Sequence, residues 1–518
     1  MNHNIPDIVD ISFIGSGIAT AYTLLELVNR LEAGQPKRAV TISVYDKYPE
    51  FFCGIPYGQR SGDSVLLINA LHNFLPESER AVFMEWLSEN KSHLIKRFLA
   101  AGGVMARKWV DTHQEAINID AWEPLFVPRS FFGSYILEKV SRAIRIAEDK
   151  GLMKLYYQVG EVEDVQRGSD DFELHMRDGA KNRSRKVVLS VGSLPTRRIH
   201  TDALHVQERD FLLINDVYAH NLASNLALIE KFLQGRQGKE TNILIVGANA
   251  SGLETLYKLA DEKQIGGLIN RFIVLSTHGL IPDSEVDFEK QSKFTASHLE
   301  SLSQDGQLTA ADIADAAFRD LKVAHDMKLG AASTVGIISG GFGKLLSKLN
   351  KEEQVRFACF HGNEIGRLQR CAGTHYTGVV AGLKETGRFQ HIAGKFKSLT
   401  PGGENGVALE YIDTQTLETK VLPEKVHIVV NCIGSTRFGG KYVPLLFQNL
   451  FKGGICHPNE SRVGISVNEH FEGSENFYVA GPMLAGNVLE NKPLWHLEHC
   501  GRIIWTSRLL ASKLNVIN

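Results

Sequence analysis

Two short glycine clusters are the residues best placed to do chemistry. The first, Gly15-Ser16-Gly17-Ile18-Ala19-Thr20, follows the β-branched run 8–14 and precedes a stretch with helical apolar spacing. In a strand, turn and helix of this kind the first glycine permits the tight turn and the second lets backbone approach a pyrophosphate. The helix N-terminus then offers free N–H groups to anionic oxygens. Thr20 stands where the pattern has a third glycine, and a branched side chain there is expected to widen the packing of helix on strand. A second apolar run, 40–45, ends in Asp46, the place of an acid that takes ribose hydroxyls. The second cluster, Gly247-Ala248-Asn249-Ala250-Ser251-Gly252, repeats the pattern with Asn249 for the middle glycine. Its amide can itself hydrogen-bond phosphate or ribose; alternatively the turn has decayed and holds no nucleotide. The strand read at 272–275 ends in Ser276-Thr277-His278-Gly279 rather than in an acid. A carboxylate there would bind the 2′-hydroxyl of NAD and repel the 2′-phosphate of NADP, so its absence tilts the choice toward NADPH over NADH. Arg271 and His278 are the nearest phosphate candidates, or else ordinary surface residues. Arg129 is a further one, for a pyrophosphate or for the NADPH phosphates, or else an ordinary surface ion pair.

Two such turns imply two cofactors, FAD at the first and a nicotinamide nucleotide at the second. The runs 186–195 and 426–434 read as strands ending in Gly192 and Gly434 that return the chain to a flavin domain. Residues 477–482 read as its last strand, with Gly481 and Pro482 where the backbone of a following helix meets the flavin ring. Val162 falls where flavoproteins touch adenine through the backbone. His496 and His499 are spaced i, i+3 with no third ligand, so no metal site is assigned.

The elements that must hold these groups follow from length and pattern. At about 150 residues per domain, 518 residues make three to four units. Composition is ordinary: 43% hydrophobic, 22% charged, 47 glycines. A net charge of −2 speaks against nucleic acid or an anionic membrane as partner and for a small molecule. The six cysteines are scattered, without C-x-x-C, which argues against a disulfide scaffold and a zinc ribbon. No signal peptide or apolar run of roughly 20 residues is seen, so a cytoplasmic location is expected; oligomeric state is left open. The fold class expected is α/β, a two-dinucleotide-domain flavoprotein: an FAD Rossmann-like domain interrupted by an NAD(P) Rossmann-like domain, with helical insertions. Residues 1–200 form the first part of the FAD domain, with a helical insertion at 74–150. Residues 201–425 form the NAD(P) domain, with a helical insertion at 284–356, and 426–518 complete the FAD domain. Residues 152–195 read as a small antiparallel sheet joining the two. Thr309 to Asp312 reads as a helix-capping box, Ser339 to Gly343 as a flexible turn, and 396–408 as a loop or hairpin tip.

Several segments carry a resemblance in order along nearly the whole chain. They are GSGIAT, GIPYG (54–58), LLINA (66–70), F-x-x-WL (83–87), VPRSFFGSYI (127–136), LSVGSLP, IVGANASG, LSTHGLIP (275–282), NCIG and AGP-x-x-x-GNVLE (480–490). This set resembles a bacterial family of FAD/NAD(P)-binding proteins that is similar in turn to the flavin-dependent N-hydroxylating monooxygenases. The resemblance implies FAD in the first domain and NADPH in the second. For the monooxygenase branch it implies a C4a-hydroperoxyflavin that hydroxylates a small amine or amino-acid-like substrate. It also implies a loop against the flavin that includes Pro56, Tyr57, Leu67 and Asn69. There Asn69 is the catalytic candidate, donating to a flavin carbonyl or to the peroxide, or instead capping a turn. Tyr57 is a second candidate, or a packing residue. Thr277 departs from the family, which has an arginine at that place, and Arg367 and Arg370 fall in its basic segment. The Baeyer–Villiger fingerprint and the redox C-x-x-C are absent. A reductase without oxygen insertion and a non-enzymatic flavoprotein are the alternatives.

Overall fold

The computed structural model describes residues 5–201, 210–261, 263–302, 308–402 and 406–515. Apolar β-branched segments build an eight-stranded sheet from β1 (Ile8–Ile14), β2 (Val40–Asp46), β3 (Met153–Val159), β4 (Val162–Arg167), β5 (Phe172–Met176), β6 (Lys181–Leu189) and two late strands, Glu472–Ser474 and Phe477–Val479. β1 lies between β2 and β6, all parallel, and β6 pairs in parallel with Phe477–Val479. The helix α4 (Arg129–Asp149) packs on β3 and on α1 (Ile18–Gly34), α2 (Glu77–Ala101) packs on α4 and on α3 (Val104–Asn118), and the C-terminal helix Cys500–Lys513 packs on α1. Residues 152–195 do not form a separate sheet. β3 is a parallel edge strand beside β2, and only β4, β5 and the first part of β6 run antiparallel.

A second, seven-stranded sheet has the order β12–β11–β10–β9–β8–β13–β7. Its strands are β7 (Leu212–Ile214), β8 (Asn242–Val246), β9 (Arg271–Ser276), β10 (Phe389–Pro401), β11 (Val407–Asp413), β12 (Thr419–Val421) and β13 (Ile428–Asn431). The strands β7, β13, β8, β9 and β10 are parallel, and β10 to β12 are antiparallel. The hairpin expected near 396–408 is β10–β11; its tip, 403–405, lies outside the described residues. β13 corrects the reading of 426–434 as already part of the first domain, because its partners are β7 and β8. The return comes just after Gly434, and Phe438 is buried in the core of the first body. Outgoing and returning segments run side by side: Arg197 N–H donates to Gly434 O (2.9 Å) and Thr436 N–H to Pro195 O (2.8 Å).

The helices α5 (Leu222–Gln234) and α6 (Ala250–Asp261) cover the second sheet. Between β9 and β10 lies a helical body with its own core, from Phe294 to Ile365, including α7 (Ala310–Asp326) and α8 (Ala331–Leu346). It extends past residue 356 through a π-turn at Phe357–His361 into α9 (Gly362–Leu368). α10 (Thr374–Glu385) then packs back on the second sheet. The capping box at Thr309 and Asp312 forms. Ser339 to Gly343 is not a turn but the middle of α8, because Ile338, Phe342, Leu345 and Leu346 are buried along one side of that helix.

Candidate nucleotide sites

The C-terminal edge of the first parallel sheet gathers the first glycine cluster. Gly15 has φ +98°, and a Cβ there would lie 2.5 Å from Ser190 O, so only glycine fits. Gly17 is the N-cap of α1 and no side chain among the described residues caps that helix, leaving its first N–H groups without an acceptor among them. Ile18, Ala19 and Thr20 are all buried. Buried, uncapped donors at the end of a parallel strand are what a pyrophosphate satisfies, so this turn fits the dinucleotide. Thr20 does not prise the helix from its strand. Its hydroxyl is fully buried, donates to Gly15 O (2.6 Å) and lies 2.7 Å from Ser190 Oγ. Asp46 ends β2 beside the turn and accepts from Ser16 N–H (3.0 Å), Ser16 Oγ (2.7 Å) and Tyr48 N–H (3.1 Å). Val162 opens β4, just beyond the Gly160 N–H bond to Asp46 O (2.8 Å).

Two further segments close on this turn. Phe52 N–H donates to Ser16 O (2.6 Å), bringing the short helix Gly54–Tyr57 against Gly17, with Pro56 exposed on it. A Cβ on Gly481 would stand 3.2 Å from Ala19 Cβ. Pro482 follows in a 3-10 turn, Gly481–Leu484, and the C-terminal helix begins only at Cys500, so no long helix starts directly after Gly481. Tyr57 is buried, its ring against Phe74 and Phe132 and its hydroxyl 3.0 Å from Cys500 Sγ. Burial pushes Cys500 up to about 12, and all six thiols are free. Leu67 is buried and donates its N–H to Val127 O (2.9 Å). Asn69, two residues on, is half-buried and its amide makes no hydrogen bond among the described residues, leaving it free for a ligand.

Arg129 is neither an exposed cation nor paired with a surface acid. It is 8% exposed and forms an ion pair with Glu254 of α6, itself 1% exposed, and its Nε donates to Leu66 O (3.1 Å). Tyr218 donates to the other Glu254 oxygen, and Tyr376 to Leu66 O (3.0 Å). Lys258 Nζ donates to Ser64 Oγ (2.7 Å) and Asp261 accepts from Met105 N–H (2.7 Å), so one face of α6 is fastened to the first body. Glu254 was not foreseen. The available signal is an acid on the apolar face of a helix, which must find a buried partner.

The second turn has the first turn's backbone but a different chemistry. A Cβ on Gly247, φ +117°, would lie 2.2 Å from Cys432 O, and one on Gly252 would lie 2.0 Å from Gly247 O. Asn249 Nδ2 donates to Cys432 O (2.8 Å) and its Oδ1 accepts from Gly252 N–H (3.2 Å), so the side chain caps α6 itself. The turn fits a phosphate less fully, although Ala250 and Ser251 remain partly accessible beside it. Ser276 ends β9 with its hydroxyl 2.7 Å from His391 Nε2, and Thr277 and His278 follow exposed. Arg271 lies at the opposite end of β9 and pairs with Glu424 (2.6 Å), which removes it as a phosphate ligand. Between the two turns, Gly192 and Gly434 face open space.

The FAD-NAD(P)-binding family model matches residues 12–194. Uncharacterized proteins of Mycobacterium tuberculosis and Mycobacterium bovis are 30% identical over 519 residues, covering 98% of this chain and 96% of each. The chain belongs to this FAD-NAD(P)-binding family. Its fold matches ornithine hydroxylase from Pseudomonas aeruginosa (TM-score 0.53, 14% identity, 98% of this chain and 100% of that one). It also matches L-lysine 6-monooxygenase from Pseudomonas syringae (0.52, 14%, 98% and 99%). A third match is FAD-bound cadaverine monooxygenase of the desferrioxamine pathway from Erwinia amylovora (0.55, 11%, 98% and 95%). The expected kinship with amine-hydroxylating flavoproteins thus holds for the fold. No helix among the described residues is long and apolar enough to cross a membrane.

Proposed function

We propose that this protein is an FAD-dependent oxidoreductase that draws electrons from NADPH and hydroxylates a small amine. The observation that carries the reading is the buried, uncapped start of α1 where β1, β2 and β6 end. Gly15, Ser16, Gly17, Ile18 and Ala19 would take the pyrophosphate and Asp46 the ribose. Asn69, with its unpaired amide, would face the ring. The edge after β9, Ser276 to His278, lacks an acid and would admit a 2′-phosphate, which favours NADPH over NADH. Bound FAD would supply the redox chemistry, and the protein holds it, excludes water and places the amine. The amine is inferred from the folds of the ornithine, lysine and cadaverine enzymes.

The test is to add NADPH to the FAD-loaded protein without oxygen, then admit air with L-lysine, L-ornithine or cadaverine present. Bleaching followed by a hydroxylated amine supports the reading. Bleaching with hydrogen peroxide as the sole product assigns a reductase. A second reading, a flavoprotein with no working nicotinamide site, is favoured by the Asn249 cap on Gly252. Absence of bleaching by NADPH and NADH alike would establish it.

A further inference from the structure

Residues 64–69 belong to both bodies at once. Val65 is buried in the core of the second body and Ile68 packs against that core, while Leu66 and Leu67 are buried in the core of the first. The segment runs antiparallel to the residues that lead into α4: Arg129 N–H donates to Val65 O (2.9 Å) and Leu67 N–H to Val127 O (2.9 Å). Asn69 ends it, so whatever fixes this short stretch fixes the root of the Asn69 side chain.

The fixing groups come from the second body. Leu66 O accepts from the Tyr376 hydroxyl of α10 (3.0 Å) and from Arg129 Nε (3.1 Å). Arg129 is held in turn by Glu254 of α6, whose other carboxylate oxygen takes the Tyr218 hydroxyl. Lys258, one turn after Glu254 on the same helix, donates to Ser64 Oγ (2.7 Å). Farther back, Arg60 Nη2 donates to Tyr218 O (2.9 Å) and Arg60 O accepts from Leu222 N–H (2.8 Å). Tyr376 is 1% exposed and its ring stands edge-on to Tyr257 at 5.4 Å, so packing fixes where its hydroxyl points. A buried ion pair adds little net stability over apolar side chains of the same size; what it can fix is one arrangement of the groups it joins. Here those groups are the carbonyl of Leu66 and the helix that starts at the second glycine turn, Glu254 lying two residues after Gly252.

We propose that Tyr376 and Glu254 are positioning residues: from the second body they fix Leu66 O, Tyr376 directly and Glu254 through Arg129, and so set where Asn69 meets the flavin. The proposal rests on the reading above in which Asn69 faces the ring, and it adds a dependence of the flavin loop on the nicotinamide body.

Tyr376→Phe deletes one hydroxyl and leaves the ring and the ion pair in place. It is compared with Asn69→Ala and with the double variant, each loaded with FAD. The visible absorption bands of the oxidised flavin are read without turnover, and the rate of bleaching by NADPH is read without oxygen. Asn69→Ala should shift the bands and slow bleaching about tenfold, and Tyr376→Phe should shift them the same way and slow bleaching about threefold. The double variant should match Asn69→Ala, because a residue that acts only through Asn69 then has nothing left to act on. Glu254→Gln, checked for folding by its melting temperature, should reproduce the band shift of Tyr376→Phe. A Tyr376→Phe effect that persists undiminished beside Asn69→Ala overturns the proposal, and so does a Tyr376→Phe protein with wild-type bands and rate. If Asn69→Ala itself changes neither quantity, the placement of Asn69 at the ring fails and the proposal falls with it. A wild type that NADPH does not bleach would sink the functional reading but leave the absorption bands to decide this one.

Discussion

Gly17 and Asn249 occupy equivalent places in two turns, and the single difference between them governs what each helix can accept. At Gly17 the helix donors are left for a ligand, whereas at Asn249 the side chain takes the Gly252 N–H and anchors to Cys432 O. The glycine spacing was readable because a turn this tight excludes a Cβ. The use to which Asn249 puts its amide was not, because Cys432 lies 183 positions away. Arg129 was equally opaque, since the acid that pairs with its buried charge, Glu254, lies 125 positions away. Asn249→Gly should free the Gly252 donor. With glycine costing only about a few tenths of a kcal/mol at an N-cap, NADPH is expected to bind about tenfold tighter, a change of ~1.4 kcal/mol. Titration of flavin reduction measures this, and weaker binding would mean that the amide itself contacts the nucleotide.

Among the elements, strands and helices flanking the glycines follow from apolar periodicity, which is why β1 and β2 match their expected spans and a helix follows the first turn, although α1 already begins at Ile18 within the glycine cluster. The failures are those of context. β3 looked like part of an antiparallel meander because alternation alone does not say which neighbour a strand will find. Ser339 to Gly343 looked like a turn because three of its five residues are glycine, yet burial of Ile338 and Phe342 in the helical insertion outweighs their poor helix propensity. Gly340→Ala should therefore stabilise the protein by about 0.5–1 kcal/mol, since nothing lies within 4 Å of the added carbon. Gly341→Ala should gain less, because Leu299 Cδ1 stands 3.0 Å away and must yield. Thermal melting of both variants tests the pair; a loss at Gly340 would mean that the helix is broken there.

Across the whole molecule, the nested order of two bodies was legible from the repeated glycine turn, whereas the point of return was not, since β13 declares its sheet only through pairing with β7 and β8. The buried Arg129–Glu254 pair joins those bodies. Arg129→Met should cost about 3–5 kcal/mol by stranding the Glu254 charge, and Arg129→Met with Glu254→Met should recover most of it; urea unfolding of single and double variants measures both. Acid should also weaken the fold through two histidines. Burial, with Arg129 adding, brings His375 to about 3, and burial, with Arg236 adding, brings His427 to about 4, against about 6.5 ordinarily. Between those values the unfolded chain binds more protons, so stability falls as pH drops from about 6.5 toward 4, by about 1.4 kcal/mol per pH unit for each group. Urea midpoints at pH 7 and pH 5 check the direction, and His427→Asn should flatten the slope.

The late strand Phe477–Val479 and the C-terminal helix on α1 impose an order in time. During synthesis β1 and the first glycine turn emerge first, but the sheet they belong to waits for a strand nearly five hundred residues into the chain. All strands of the second sheet are made before that partner arrives. Ribosome-bound chains ending before Phe477 are thus expected to hold a protease-resistant second body and no flavin, with cofactor retained only once Gly481 and the final helix are free of the exit tunnel. Flavin fluorescence of stalled chains of graded length would reveal that step.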